Sequence, residues 1–337
     1  MNKLARRIGW VVTGLIVGGA VGFVYYIKSG IEPTAASKPF FIRFEEKTPI
    51  TSAGLTLRGR GVIRNATAFR YYAIYRRYDS KVLEGTYQLA GGMTADQIFA
   101  ALRRPITQMV RIPETNFSFR TAKLLAQKDV LAADDYDSLV KQPSWFAKKV
   151  SFSLPKWSLE GYLYPDTYDL PPLIGAKAVI ERQLSAFEKK VYPLLKDLDE
   201  TKRQRTLIIA SMVELEAGQD SDRPIIAGVI ENRLKKQMRL QIDATILYGM
   251  KAWRRMFNKD YQFDSPYNTY KIPGLPPGPI CSPSLKSVEA ALHPATHEFL
   301  YYVAKPDRNH IFAKTYEEHL ANIKVARKLR DEAERKK

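Results

Sequence analysis

The sequence predicts an α+β protein set behind a single N-terminal transmembrane helix. Three observations carry that prediction. An uncharged apolar run stands near the N-terminus, strand and helix signals alternate after it, and 45% hydrophobic residues in 337 is enough for a sizeable core. A formal charge of +18 adds that the partner or surroundings are anionic: nucleic acid, acidic lipid or an acidic polymer.

The run from Ile8 to Ile27 has no charged residue, and its length is what a helix needs to cross a bilayer. Lys3, Arg6 and Arg7 precede it, and only Lys28 follows closely, so the N-terminus is expected in the cytoplasm. Trp10, Tyr25 and Tyr26 stand near its ends, where aromatic rings favour the interface. The long apolar run with aromatic residues at its end, and the lack of a clear small-x-small cleavage site, favour an uncleaved anchor over a signal peptide. The rest of the chain is then extracytoplasmic. Nucleic acid becomes a poor partner, although Arg70 to Tyr78, "RYYAIYRRY", mixes basic and aromatic residues. Phe69, Tyr72, Ala73 and Arg76 recur there at helical spacing, which reads as an amphipathic helix with a solvated basic face. The lone Cys281 excludes an internal disulfide and a cysteine zinc site.

After a proline-broken linker (28–39), "FFIRFEE" reads as a strand, followed by the basic-aromatic helix. "EGTYQLAGGMTADQIFAALRRP" gives a second strand, a Gly-Gly turn and a helix capped by Thr94, with Ile98, Phe99 and Leu102 buried. A further unit starts with the strand and helix of "QMVRIPETNFSFRTAKLLAQ". It continues through the aromatic segment Trp157 to Pro171 into the helical "AKAVIERQLSAFEKKVYPLL". From Leu240 the pattern weakens into turn-rich stretches. A helix near Leu285 to Leu292, the strand-like "FLYYVA" and a basic helical tail close the chain.

Within "SMVELEAG" (Ser211 to Gly218), two glutamates interrupt an apolar helix. At 100° per residue, Glu214 and Glu216 lie about 200° apart and cannot act as one carboxylate pair. Glu214 shares a stripe with Leu207, Ala210 and Ser211, while Glu216 is expected to face solvent and Gly218 to cap the helix. A carboxyl on an apolar stripe has its pKa raised by desolvation, as a general acid needs. The competing reading is a glutamate buried in a salt bridge, with Arg223, Arg233 or Arg239 as partner.

Past Pro224, expected in a helix's first turn, come the buried positions Ile226, Val229, Ile230 and Leu234. "LQIDAT" and "SPYNTY" then supply amides, acids and aromatic faces of the kind a polysaccharide groove uses. Gln241, Asp243, Asn268 and Tyr270 are the groove candidates. His293 and His297 are separated by Pro294 and lack a third ligand, so no metal is expected.

The motifs "LEGYLYPDTYDL", "ASMVELEAG", "AGVIENRLKKQMRLQIDATILYGM", "SPYNTYKIPGLPPGPI" and "LHPA…FLYYVA" resemble, in order, those of the endolytic murein transglycosylase or YceG-like family. The resemblance implies a single-pass inner-membrane protein with a LysM-like module and a mixed α/β catalytic domain. It divides the chain into a cytoplasmic tail (1–7), the transmembrane helix (8–27), the linker (28–39), the LysM-like module (40–110), a connecting part (111–200), the catalytic region (201–325) and a basic tail (326–337). It implies no cofactor. Its substrate is peptidoglycan, cut within glycan strands to leave 1,6-anhydro-N-acetylmuramic acid ends, and its implied partners are the membrane and peptidoglycan synthases. The family's catalytic glutamate, carried onto this sequence, falls on Glu214, and Glu160 in the first motif joins the substrate-binding set. Leu215, Ala217, Ser284 and Thr115 depart from the usual family residues. A lytic transglycosylase uses the sugar's own C6 hydroxyl as nucleophile, so a single carboxyl serves as acid and then base, in contrast to two-carboxylate glycosidases. The alternative is an inactive peptidoglycan-binding scaffold of the same fold.

Overall fold

The computed structural model describes residues 3–78 and 80–335. Met1 and Asn2 of the N-terminal tail, Asp79, and Lys336 and Lys337 of the C-terminal tail lie outside them, as do the side chains of Lys3, Arg6 and Arg7. The chain forms two compact units, Met1–Gln108 with Asp169–Ile174, and Met109–Tyr168 with Gly175–Lys337.

The first unit opens with α1 (Lys3–Gly30), whose stretch Ile8–Gly30 is long and apolar enough to cross a membrane. β1 (Phe40–Phe44), α2 (Ile50–Gly59), α3 (Ala66–Tyr75), β2 (Gly85–Leu89) and α4 (Ala95–Leu102) follow. β1 and β2 pair antiparallel, from Phe40 opposite Leu89 to Phe44 opposite Gly85. Their inward residues Ile42, Phe44 and Tyr87 meet Leu57, Phe69, Ile98 and Leu102 in one core, with the Phe69 and Phe99 rings stacked at 4.5 Å. Thr94 caps α4 in a capping box with Gln97, as its spacing predicts. One helix is expected between the strands and two are present. α2 buries Ile50, Ala53 and Leu57, but its Thr, Ser and Gly residues are weak helix formers, so packing and not propensity makes it helical. The segment Asp169–Ile174 belongs here through Thr86, buried, whose hydroxyl donates to the Pro172 carbonyl at 2.5 Å.

The second unit comprises β3 (Met109–Arg111), α5 (Ser118–Gln127), α6 (Ala133–Val140), β4 (Thr167–Asp169), α7 (Ala176–Lys190), α8 (Tyr192–Leu195), α9 (Glu200–Glu216), α10 (Arg223–Lys235), α11 (Asp243–Gly249), α12 (Leu285–Leu292), β5 (Tyr301–Ala304), β6 (His310–Ala313) and α13 (Tyr316–Arg335). β5 and β6 form an antiparallel hairpin, Tyr301 opposite Ala313 and Ala304 opposite His310. α9 is the central helix: every residue from Leu207 to Glu214 is buried, so it is enclosed on all sides. Ser211 ties it to the Ile280–Cys281 strap, accepting from the Ile280 amide at 3.1 Å. α10 starts with Pro224 in its first turn, as expected, and buries Ile226, Val229 and Ile230, with Leu234 half-buried. α11 and β6 are absent from the sequence reading. Both are short, and β6 has only four residues in which to show a period.

Candidate active site

The enclosure of α9 decides where its two acids go. Glu214, 4% exposed, is fully partnered. Arg223 lies 3.2 Å from each of its oxygens, and Ser284 donates to Oε2 from its amide at 2.9 Å and its hydroxyl at 2.5 Å. Arg223 also reaches the Ser287 hydroxyl and Asp220. The salt-bridge reading of Glu214 therefore holds, and with the partner nearest in sequence. Glu214 joins the end of α9 to the starts of α10 and α12.

Glu216 does not face solvent, contrary to the expectation. The C-terminal end of α9 meets the β5–β6 hairpin, and the carboxyl opens into a cleft of about 330 Å³ within the second unit. Tyr302 of β5 donates its hydroxyl to Glu216 Oε2 at 3.0 Å. Burial pushes the Glu216 pKa up to about 7; the charge of Asp243 adds to the rise, and the Tyr302 bond and Arg233 oppose it. The helix ends at Ala217, with Gly218 after it in no left-handed conformation. A side chain at Gly218 would stand 2.0 Å from the Arg308 carbonyl, so close approach of the hairpin loop, and not a cap, demands glycine.

Three of the groove candidates line the same cleft: Gln241, Asp243 and Tyr270. Asp243 opens α11, and the Tyr270 hydroxyl donates to its Oδ1 at 2.8 Å. Burial, and then that bond, raise the Tyr270 pKa, so it remains a neutral donor. Gln241 is exposed, with φ +53°, a left-handed conformation that glutamine rarely adopts. Its backbone N–H donates to the Thr269 carbonyl at 3.2 Å, joining the two turn-rich stretches.

Two candidates do not reach the cleft. Asn268 is wholly buried: its amide nitrogen donates to the carbonyls of Tyr261 (3.1 Å) and Phe263 (2.7 Å), and its oxygen accepts from the Tyr270 amide (3.0 Å). It is the brace of the loop that presents Tyr270. Glu160, 2% exposed, accepts from the Ser118 amide at 3.1 Å beside a very small internal cavity. Burial raises its pKa to about 7. Neither side chain has a face open to a polymer.

The cleft also holds residues that sequence reasoning missed as site groups. Arg233, weighed only as a salt-bridge partner, donates to the carbonyls of Leu300 (2.6 Å) and Leu240 (2.8 Å) and fixes the cleft walls. His310 is bonded through Nδ1 to Asp222 at 2.8 Å. His319 lines the cleft with a buried Nδ1 that has no partner among the described residues, and burial lowers its pKa. The only sequence signal was the clustering of "FLYYVA" and "HIFA", both too short to weigh alone. His297 has both ring nitrogens engaged by backbone: Nε2 at 3.0 Å from the Ile225 carbonyl, Nδ1 accepting from the Phe299 amide.

The cleft thus brings together one raised carboxyl, a second acid and several neutral donors. A sequence model of the YceG-like family matches residues 42–325. The chain belongs to the YceG-like family. It is 33% identical to the endolytic murein transglycosylase of Bacillus subtilis (strain 168), covering 90% of this chain and 89% of that one. It is 29% identical to the endolytic murein transglycosylase of Streptococcus pneumoniae (D39), over 92% of this chain and 62% of that longer one. Among solved structures, a yceG-like protein from Listeria monocytogenes aligns at TM-score 0.57 and 32% identity, covering 84% of this chain and 98% of that one. The YceG-like match begins at Ile42 in β1 and runs into α13, so it takes in every residue of the cleft.

Proposed function

We propose that this chain is an endolytic murein transglycosylase that uses Glu216 as its acid and base. It cleaves the MurNAc–GlcNAc β-1,4 bond within peptidoglycan strands and leaves 1,6-anhydro-MurNAc ends. One observation carries the reading: Glu216 is a carboxyl with a pKa near 7 that opens into a cleft beside polar and aromatic groups. Resemblance alone points two residues upstream, to Glu214, but that carboxylate is committed to Arg223 and Ser284.

Protonated Glu216 donates its hydrogen to the departing glycosidic oxygen as the C1–O bond breaks. Positive charge grows on the sugar ring, and Asp243, across the same cleft, is placed to stabilise it. The Glu216 carboxylate then takes the proton of the sugar's C6 hydroxyl, whose oxygen closes on C1 to give the anhydro ring. The acid returns to its starting state and no water enters. Gln241 and Tyr270 orient the strand.

The same reading makes α1 a single-pass anchor of the inner membrane, with the N-terminus inside and both units outside, near nascent glycan. The β1–α2–α3–β2 order with its antiparallel strand pair supports a LysM-like identity for the first module. Net charge +18 suits a substrate bearing peptide carboxylates beside an anionic membrane.

Digestion of purified sacculi, followed by mass spectrometry of the fragments, tests the function. Internal cuts with anhydro ends are expected. Reducing ends would identify a hydrolase, and an absence of fragments would identify a binding scaffold.

A further inference from the structure

α3 carries an apolar face that its own unit does not cover. Ile74 is 60% exposed and Tyr75 78%, and Tyr71 lies beside them. This face adjoins the outer end of α1. Tyr71 meets Phe23 edge-on at 5.2 Å, the Tyr26 hydroxyl donates to Asn65 at 3.3 Å, and the Asn65 amide donates to the Gly30 carbonyl at 3.2 Å. Asn65 is also the N-cap of α3, accepting from the Thr67 and Ala68 amides. The junction is tight: a side chain at Gly30 would overlap Ala68, at 2.4 Å. Between the two helices lies an open cavity of about 630 Å³ walled by Val24, Ile27, Ile31, Tyr72, Ile74 and Tyr75.

We propose that this face of α3 lies in the outer lipid–water interface of the membrane that α1 spans. The inference rests on α1 being an anchor. Along a helix, Phe23 is four residues, or about 6 Å, inside the Ile27 end of the uncharged run. A ring in contact with Phe23 is then at or below head-group level, and Tyr71 is such a ring. The apolar surface of α1 faces Ile74 and Tyr75 across the cavity, so lipid chains that coat one also reach the other. Charge is complementary too. Arg70 and Arg77, exposed on and just after α3, and Lys28, at the end of α1, are suited to phospholipid phosphates. Arg70 stands 6.0 Å over the Tyr71 ring. Aromatic rings below and guanidinium groups above are the arrangement of an interfacial helix. Docking of this kind fixes the height of the first module above the bilayer.

The test is a depth measurement on the full chain in nanodiscs of phosphatidylglycerol and phosphatidylethanolamine. A fluorophore is placed on Tyr75→Cys, on Leu15→Cys within α1, and on Trp157→Cys; Cys281 is buried and does not compete for the label. Expected at position 75 is a blue-shifted emission, lost to a spin-labelled lipid and protected from aqueous cobalt, while position 157 shows the reverse. If position 15 is quenched by lipid but position 75 by cobalt, the anchor stands and the docking is wrong. If position 75 is protected from both quenchers, a protein surface covers it, such as a second copy, and the proposal also falls. Cobalt quenching at positions 15 and 75 together would remove the anchor itself.

Discussion

Glu214 and Glu216 stand two residues apart on one helix and live in opposite electrostatic worlds: Arg223 lies 3.2 Å from each oxygen of the first, and Tyr302 donates at 3.0 Å to the second. The first has both oxygens taken up by Arg223 and Ser284. The second is pushed toward the neutral form by burial and by Asp243. The proposed function assigns the first the part of a structural clamp and the second that of the proton carrier.

Glu216→Gln should lower anhydro-product formation by about 100-fold or more, the usual contribution of a positioned acid–base group, while leaving the melting temperature near its starting value. Glu214→Gln should do the reverse. It leaves Arg223 short of its counter-charge in a buried setting, at a cost of about 3 kcal/mol, and the fraction that stays folded should retain turnover. Denaturant melts alongside product assays check both. Full turnover in Glu216→Gln would end the assignment.

Part of this site was legible in the sequence, and several steps were not. The apolar run around "SMVELEAG", the turn-rich stretches holding Gln241, Asp243 and Tyr270, and the salt-bridge partner Arg223 all follow from pattern. The stripe argument failed at Glu216 because it assumes that a helix has a solvent side, and α9 has none. Met212 and Val213, opposite the expected stripe, are buried as deeply as Leu207 and Ala210. α10, α11 and α12 pack around the helix, and Glu216 at its end meets a hairpin about 90 residues downstream whose strands have four residues each. Such long-range closure leaves no local period to read. Asn268 shows the converse: an amide in a polar turn looks the same whether it faces a sugar or braces its own loop.

The rate should depend on pH through a limb that two neighbours shift in opposite directions. The acid must be protonated to act, so kcat/KM should fall as pH rises through about 7, the Glu216 value. Tyr302 lowers that value by donating to the carboxylate, so Tyr302→Phe should move the alkaline limb to higher pH. Asp243 raises it by charge, so Asp243→Asn should move the limb to lower pH, apart from any loss of rate. Profiles in which both variants shift the same way would contradict the proposed electrostatics.

Stability should carry a separate pH signature from Glu160. Its folded pKa, about 7, is raised by burial above the 4.5 of a free glutamate. Protonated below pH 4.5, it imposes no penalty. As pH rises toward 7, the unfolded chain ionises first, so stability falls, and above 7 the full penalty persists. That penalty is roughly 3 kcal/mol at 1.36 kcal/mol per unit. Glu160→Gln should therefore become more stable relative to the parent as pH rises from 4.5 to 7, by up to that amount, in urea melts taken at several pH values. A gap that does not change with pH would mean that the carboxyl is ionised throughout.

Asn268→Ala should act on the fold before it acts on chemistry. The substitution strands the Tyr261 and Phe263 carbonyls inside the loop, each at about 1–3 kcal/mol, and frees the Tyr270 amide. A lower melting temperature should come first, with turnover lost only as Tyr270 drifts from Asp243. Unchanged melting with lost turnover would return Asn268 to the group that touches the strand.

Gln241 offers the opposite test, because its backbone costs stability where its side chain serves the cleft. At φ +53° a non-glycine residue pays about 1–2 kcal/mol that glycine does not, and the side chain is exposed, with no core contact to lose. Gln241→Gly should raise the melting temperature and at the same time reduce turnover, since the amide that meets the glycan is gone. Gln241→Ala keeps the left-handed strain and removes the same amide, so it should reduce turnover without the gain in stability. A strained residue that can be relaxed only at the expense of rate is one retained for the substrate. If Gln241→Gly gains stability and keeps full activity, the strain belongs to the turn, and Gln241 has no part in holding the strand.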